Sequence, residues 1–195
     1  VYDLDLTKLG PAIKYDLDNH ENIHKPFDRI AYFVELQDAN LNTQDVFVSM
    51  DAFTTDLGKI GVPVFGSGAV FQQNVTNLDV FSNVKGIVTG TGLDGGNIEF
   101  WPNNYGQANS AKVPNASSET YDFGDQPDDS ADGYGSMQVH NHDAKQTLFA
   151  INHWREGAHA DVGIGNQTKD NPDWTFAGNA GNYKVMRLRV LVRCR

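Results

Sequence analysis

The C-terminal run MRLRVLVRCR, residues 186–195, carries the clearest structural signal in the chain. Met186, Leu188, Val190, Val192 and Cys194 fall on one side of a period of two, with Arg187, Arg189, Arg193 and Arg195 on the other. That is the pattern of a strand with one face in a core and one in water, and it makes Cys194 a small core hydrophobe. The period recurs in Phe27–Leu36, where Ile30, Tyr32, Val34 and Leu36 alternate with Arg29, Phe33 and Glu35. It recurs again where Val46, Val48, Met50 and Ala52 alternate with Asp45, Ser49 and Asp51, across a polar turn at Asp38–Thr43 that invites hairpin pairing.

Shorter β-like runs follow at Val62–Phe65, Ala69–Val75, Leu78–Phe81, Gly86–Thr91 and Ile98–Trp101. Leu93-Asp94-Gly95-Gly96-Asn97 reads as a tight hairpin turn, because Asp-Gly and Gly-Gly supply the positive φ angles such turns demand. Only Thr54–Gly61 accommodates a helical turn; elsewhere glycines and β-branched residues interrupt any helical period. Val1–Pro26 mixes short apolar steps with Asp, Asn, Gly and Pro, and residues 107–120 read as a surface loop. Together these elements predict one all-β domain over residues 1–195, an antiparallel β-sandwich of the jelly-roll type with an extended N-terminal arm at 1–26.

A chain of 195 residues is long enough for one well-buried core. With 25 acidic against 15 basic residues and a formal charge of −10, it repels phosphate backbones and acidic lipid, so neither nucleic acid nor membrane is an expected partner. Its single cysteine excludes an internal disulfide and any multi-cysteine metal cluster. Val1 is neither a starting Met nor the head of a signal peptide, as in a piece of something larger.

The chemistry-bearing residues concentrate in Tyr121–Trp154. Asp128, Ser130 and Asp132 place oxygens at positions one, three and five of a calcium loop, with Gly133 at the turn. Val139 stands where an EF-hand has its bidentate Glu, so a structural Ca²⁺ needs a different cage, completed by Asp122 or Asp125; the plainer reading is a solvated acidic loop. His140 and His142, two apart, share one strand face with Gln138. The pair has metal-ligand spacing, but the carboxylate that cupin-type sites place a few residues later is absent, which favours the polar outer face of a hairpin. General acid–base chemistry by His140, His142 or His153 with Tyr134 and Arg155 is the alternative, as in a polysaccharide lyase or hydrolase. No G-x-S-x-G elbow supports acyl transfer.

Aromatics make the strongest binding argument. Trp101, Tyr105, Trp154 and Trp174 sit at strand ends beside Asn, Arg, Asp or Pro, where an exposed ring stacks on the apolar face of a sugar, although any one tryptophan is more often buried in a core than exposed. Asn104 and Arg155, with neighbouring polar groups, supply donors and acceptors for hydroxyls.

Seven pieces carry a resemblance: GNIEFWPNNYG (96–106), YDFGDQ (121–126), GYGSMQVHNH (133–142), QTLFAINHW (146–154), ADVGIGN (160–166), NPDWTFAGNA (171–180) and RLRVLVR (187–193). They resemble a non-catalytic, β-rich region of large bacterial proteins described as sialate O-acetylesterases, from planctomycetes and related polysaccharide-degrading marine lineages. The esterase activity of such proteins belongs to a separate domain with a Gly-Asp-Ser nucleophile block. Here the comparable triplet is Gly124-Asp125-Gln126, without the serine. The resemblance therefore implies a secreted or periplasmic, carbohydrate-processing setting and transfers no catalytic residue.

These readings converge on a carbohydrate-binding accessory module. It takes a polysaccharide or oligosaccharide through Trp101, Asn104, Tyr105, Trp154, Arg155 and Trp174, beside an attached or partnered carbohydrate-active enzyme domain. A structural Ca²⁺ is expected at Asp125, Asp128, Ser130 and Asp132. The alternatives are the glycan-active enzyme above and a structural or protein-docking domain.

Overall fold

The alternation at the C-terminus extends upstream to Tyr183 and becomes one of the two longest strands. The computed structural model of the chain describes residues 1–8, 12–63, 71–101, 134–154, 160–165 and 182–195. Its strands are β1 (Tyr2–Asp5), β2 (Leu17–Asp18), β3 (Phe27–Asp38), β4 (Thr43–Asp51), β5 (Phe71–Val75), β6 (Leu78–Ser82), β7 (Gly90–Leu93), β8 (Gly96–Trp101), β9 (Tyr134–Asn141), β10 (Gln146–Trp154), β11 (Ala160–Ile164) and β12 (Tyr183–Cys194). Helical geometry among the described residues is limited to 3-10 turns at Leu6–Lys8, His20–Asn22 and Leu57–Lys59, the last inside the window left open for it.

The strands form two antiparallel sheets, one in the order β2-β1-β12-β3-β4-β6-β7 and the other β11-β10-β9-β8-β5. The protein is an all-β sandwich. The expected β3–β4 hairpin pairs in continuous register from Arg29↔Asp51 to Gln37↔Thr43. Between the sheets, Ile30, Tyr32, Val34, Val48, Leu188 and Val190 of the larger sheet face Ile98, Met137, Val139, Phe149 and Ile151 of the smaller, all fully buried. Burying each such aliphatic or aromatic side chain stabilises the fold by about 1.5–3 kcal/mol. The rings of Tyr32 and Phe149 meet across the two sheets at 5.8 Å. The core phenols of Tyr2 and Tyr32 donate to the carbonyls of Leu57 and Ile60 at 2.9 and 3.0 Å, so their burial leaves no hydroxyl unsatisfied.

Three expectations change at the ends of elements. The N-terminal segment does more than lead in: β1 pairs with β12 from Tyr2↔Val190 to Asp5↔Arg187, and Tyr2, Leu4 and Leu6 join the core. The glycine-rich turn at 93–97 is not a hairpin, since β7 pairs with β6 and β8 with β5 and β9, which makes it a corner between sheets. Gly95 suits that corner: its φ is +78°, and a Cβ there would come within 2.6 Å of Asp143 Cγ. Cys194 is exposed, not in the core, because a register shift between Arg193 and Cys194 breaks the alternation as β12 leaves the sheet.

The outward face of the larger sheet carries the arginines, and they are committed. Arg187 Nε donates to Asp3 Oδ1 at 2.6 Å, Arg193 Nε to Asp28 Oδ1 at 2.8 Å, and Arg195 Nε lies 3.4 Å from Asp28 Oδ2. Arg189 lies between Asp3 and Glu35, at 3.6 and 3.8 Å. On β3, buried Arg29 donates to Ser49 Oγ (2.7 Å), Asn77 O (2.8 Å), Asp79 Oδ2 (2.8 Å) and Asp51 Oδ1 (3.3 Å). It ties β3 to β4, to β6 and to the turn that joins β5 and β6.

Candidate functional site

Alternation also governs the smaller sheet, with an unusual result. In β8, Ile98 and Phe100 point into the core while Asn97, Glu99 and Trp101 occupy the opposite face. In β9, Met137 and Val139 point inward and Ser136, Gln138 and His140 do not. Pairing aligns the outward residues into three rows: Asn74, Asn97, His140 and Thr147; Gln72, Glu99, Gln138 and Ala150; and Trp101, Ser136 and Asn152. Apart from Asn74 at the edge, every residue of these rows is buried. The expected polar outer face of the hairpin is therefore polar but closed to solvent.

Glu99 stands at the centre of the grid. Asn97 Nδ2 donates to its Oε1 at 2.8 Å, Gln72 Nε2 donates to the same oxygen, and Trp101 Nε1 donates to Oε2 at 2.9 Å. Three N–H groups thus converge on one fully buried carboxylate, which acts towards them purely as an acceptor. Asn97 Nδ2 also lies 3.1 Å from His142 Nε2, so its two protons serve Glu99 and His142. The imidazoles of His140 and His142 stack at 5.7 Å with an interplanar angle of 22°.

The grid meets solvent at Asn74 on the sheet edge and, beyond His140, at His142, which is only partly buried. A turn at the tip of the β9–β10 hairpin places it there: Lys145 N donates to His142 O at 3.1 Å, and His142 N donates to Gly95 O at 2.8 Å. The hairpin tip is thereby fastened to the corner between β7 and β8.

Two grid oxygens, Asn97 Oδ1 and Ser136 Oγ, have no hydrogen-bond partner among the described residues, although both side chains are fully buried. Native interiors leave few such atoms unsatisfied, and those that persist call for a water, an ion or a ligand.

Burial lowers the His140 pKa from 6.5 to about 3, with the nearby His142 adding to the shift. Glu99 Oε1, at 3.7 Å from His140 Nδ1, favours the protonated ring, but the cost of burial prevails. His140 is therefore neutral at physiological pH. The unfolded chain takes up its proton near pH 6.5 and the folded chain only near 3, so stability is full above about 6.5 and falls as pH drops towards 3. The expected slope in that window is about 1.4 kcal/mol per pH unit, or about 2 kcal/mol between pH 6.5 and 5. Denaturant melts at pH 7 and pH 5 check this: His140→Gln should remove that slope from the pH dependence of stability, and parallel profiles for the two proteins would contradict it.

Several expected site residues are relocated. Trp101, expected as an exposed stacking ring, is fully buried with its indole N–H on Glu99, and so presents no face to a sugar. His140 and His142 do come together, but His153 pairs with Gly135, at the register position alternate to Asn152 and Trp154, away from the row of His140. Tyr134 and Trp154 pair with each other at the far end of β9 and β10. Asn104, Tyr105, Arg155, Trp174 and the calcium set Asp125, Asp128, Ser130 and Asp132 lie outside the described residues. Among the described residues no three His, Cys, Asp or Glu side chains are grouped to hold a metal ion. Likewise, no helix among them is long and apolar enough to cross a membrane.

The chain matches no protein-family model, no curated protein and no solved structure. Glu99, Asn97, Gln72, Ser136 and Asn152 do not stand out in sequence. The available signal was the parity of Asn97 and Glu99 within β8, which becomes meaningful only once that strand is set beside Gln138 and His140.

Proposed function

We propose that this protein is a carbohydrate-binding β-sandwich whose recognition surface is the polar face of the smaller sheet, and that it serves as an accessory to a carbohydrate-active enzyme domain. The observation that carries this reading is the buried grid itself, with its two unsatisfied oxygens. Carboxamides, a carboxylate, a hydroxyl and imidazoles set at strand spacing are the groups that exchange hydrogen bonds with sugar hydroxyls. A sandwich that used this sheet only for packing would gain more from apolar residues, since partly satisfied polar groups cost free energy in a core.

The ligand enters from the His142 end, where the grid reaches the surface, and the closed grid has to open to admit it. Trp154, Arg155, Tyr105 and Asn104 are the further glycan contacts in this reading, and a secreted or periplasmic setting follows from the role. The resemblance of the second half to regions accompanying sialate O-acetylesterases supports the same setting. A structural Ca²⁺ at Asp125, Asp128, Ser130 and Asp132 belongs to this reading too.

The test is a panel of polysaccharides assayed for both retention and product. Retardation in native gels that is lost in His142→Ala or Trp154→Ala, with no reducing or unsaturated ends released, supports a binding module. The proximity of Glu99 to His140 keeps a glycan-active enzyme as the second reading. Release of such ends, abolished in His140→Ala, would replace the first reading with the second.

A further inference from the structure

The atoms that the grid leaves without a partner say what kind of sugar it takes. Asn97 has spent both amide protons, one on Glu99 Oε1 and one towards His142 Nε2, so its free function is the acceptor Oδ1. A buried acceptor is satisfied only by a group that donates. Sugar hydroxyls and acetamido N–H groups donate; carboxylate and sulfate oxygens only accept. Ser136 Oγ, the second unsatisfied atom, can donate or accept and so fits a hydroxyl in either sense.

Charge points the same way. No lysine or arginine stands in the three rows; Glu99 is their central charged member, and the third row continues in register from Asn152 to a second acidic residue, Asp161 of β11. The arginines of β12, the densest cationic run in the chain, lie in the other sheet and are engaged by Asp3, Asp28 and Glu35. The whole chain carries −10, which opposes the approach of a polyanion.

We infer that the polar face selects an uncharged glycan, one read through hydroxyl or acetamido groups, and discriminates against uronic, sulfated and sialylated chains. This rests on the glycan-binding reading given above and narrows it to a ligand class. Asn97 Oδ1 is the acceptor that requires a donor, Ser136 supplies a two-way contact, and Glu99 sets the sign of the surface.

The experiment is calorimetric titration of the intact chain with cellohexaose, xylohexaose, mannohexaose and chitohexaose, and with oligogalacturonate beside its carboxyl-reduced form. The last pair differs only at C6, a carboxylate in one and a primary hydroxyl that can donate in the other. At least one neutral oligosaccharide should bind on the order of 10-fold more tightly than oligogalacturonate, and carboxyl reduction should raise affinity, with the gap narrowing in salt as repulsion is screened. Ser136→Ala should weaken the neutral ligand by about 3- to 10-fold, the worth of one hydrogen bond, without lowering the melting temperature, because no hydrogen bond within the described protein is lost.

Equal or tighter binding of the acidic member would overturn the ligand class while leaving glycan binding in place. An unchanged affinity in Ser136→Ala would remove the grid as the contact surface. Failure of every oligosaccharide to bind would overturn the glycan-binding reading and this inference with it.

Discussion

Replacing Glu99 with alanine should lower stability by about 4 kcal/mol. The carboxylate receives hydrogen bonds from Gln72, Asn97 and Trp101 inside a closed region, and its removal leaves those donors facing a void. Each buried donor without a partner costs about 1–3 kcal/mol, with the cavity adding to the sum. For a chain of this size the melting temperature should fall by roughly 8–16 °C. Glu99→Gln separates shape from charge: it fills the same volume and keeps one acceptor oxygen, but sets an NH₂ group against the converging donors. Its cost should be smaller, about 1–2 kcal/mol. Urea melts of the two variants provide the measurement, and a Glu99→Ala protein as stable as the parent would show that the grid does not hold the sheet together.

Arg29→Ala is the second large effect, about 3 kcal/mol. The guanidinium is buried on the outward face of the larger sheet, with acceptors on β4, on β6 and at Asn77 between β5 and β6. Removing it brings Asp51 and Asp79 together without their shared cation and deprives Ser49 and the Asn77 carbonyl of a donor. Breaking a buried ion pair from one side is the costly direction. The figure is placed at the low end of the usual range because both aspartates retain access to water. Arg29→Lys should recover only part of the loss, since one ammonium cannot reach four acceptors fanned around a planar fork. High salt should leave most of the Arg29→Ala deficit intact, because the interaction is largely shielded from mobile ions. A deficit that vanishes in salt would mean a surface effect instead.

Both variants concern residues whose importance was hidden in sequence, for different physical reasons. The strand pattern of 27–36, 46–52 and 186–195 was legible because a half-buried strand writes its two environments into alternate residues, and those strands became β3, β4 and β12. Alternation tells which residues share a side, not what lies over that side. Arg29 and Glu99 each occupy the polar parity of their strand, which reads as solvent, yet both are covered. The partners that make them matter come from other strands, with Asp79 fifty positions from Arg29 and Gln72 twenty-seven from Glu99.

Cys194 failed in the opposite direction, since it obeys the period in sequence while a register shift at the sheet margin carries it out of the core. The corner at 93–97 shows a related limit. A positive-φ glycine turn forms where the sequence places one, but local chemistry is the same whether the chain doubles back in one sheet or crosses to another. For the site, His140, His142 and Gln138 were visible through their spacing. The burial of Trp101 is not legible from its neighbours, because an indole at a strand end has the same local sequence whether its N–H meets a sugar, water or a buried carboxylate.

The clasp between the first strand and the last sets the order in which the larger sheet can assemble. β12 lies between β1 and β3, so its two neighbours are synthesised long before it exists, and Tyr2 waits for Val190. Until then the β3–β4 hairpin, which can close early from local pairing, presents an unpaired edge along β3. Contacts of such high sequence separation carry a large loop-closure cost and slow the folding of all-β chains. The emerging polypeptide is thus open to wrong partners along β3 until β12 arrives to fill the gap.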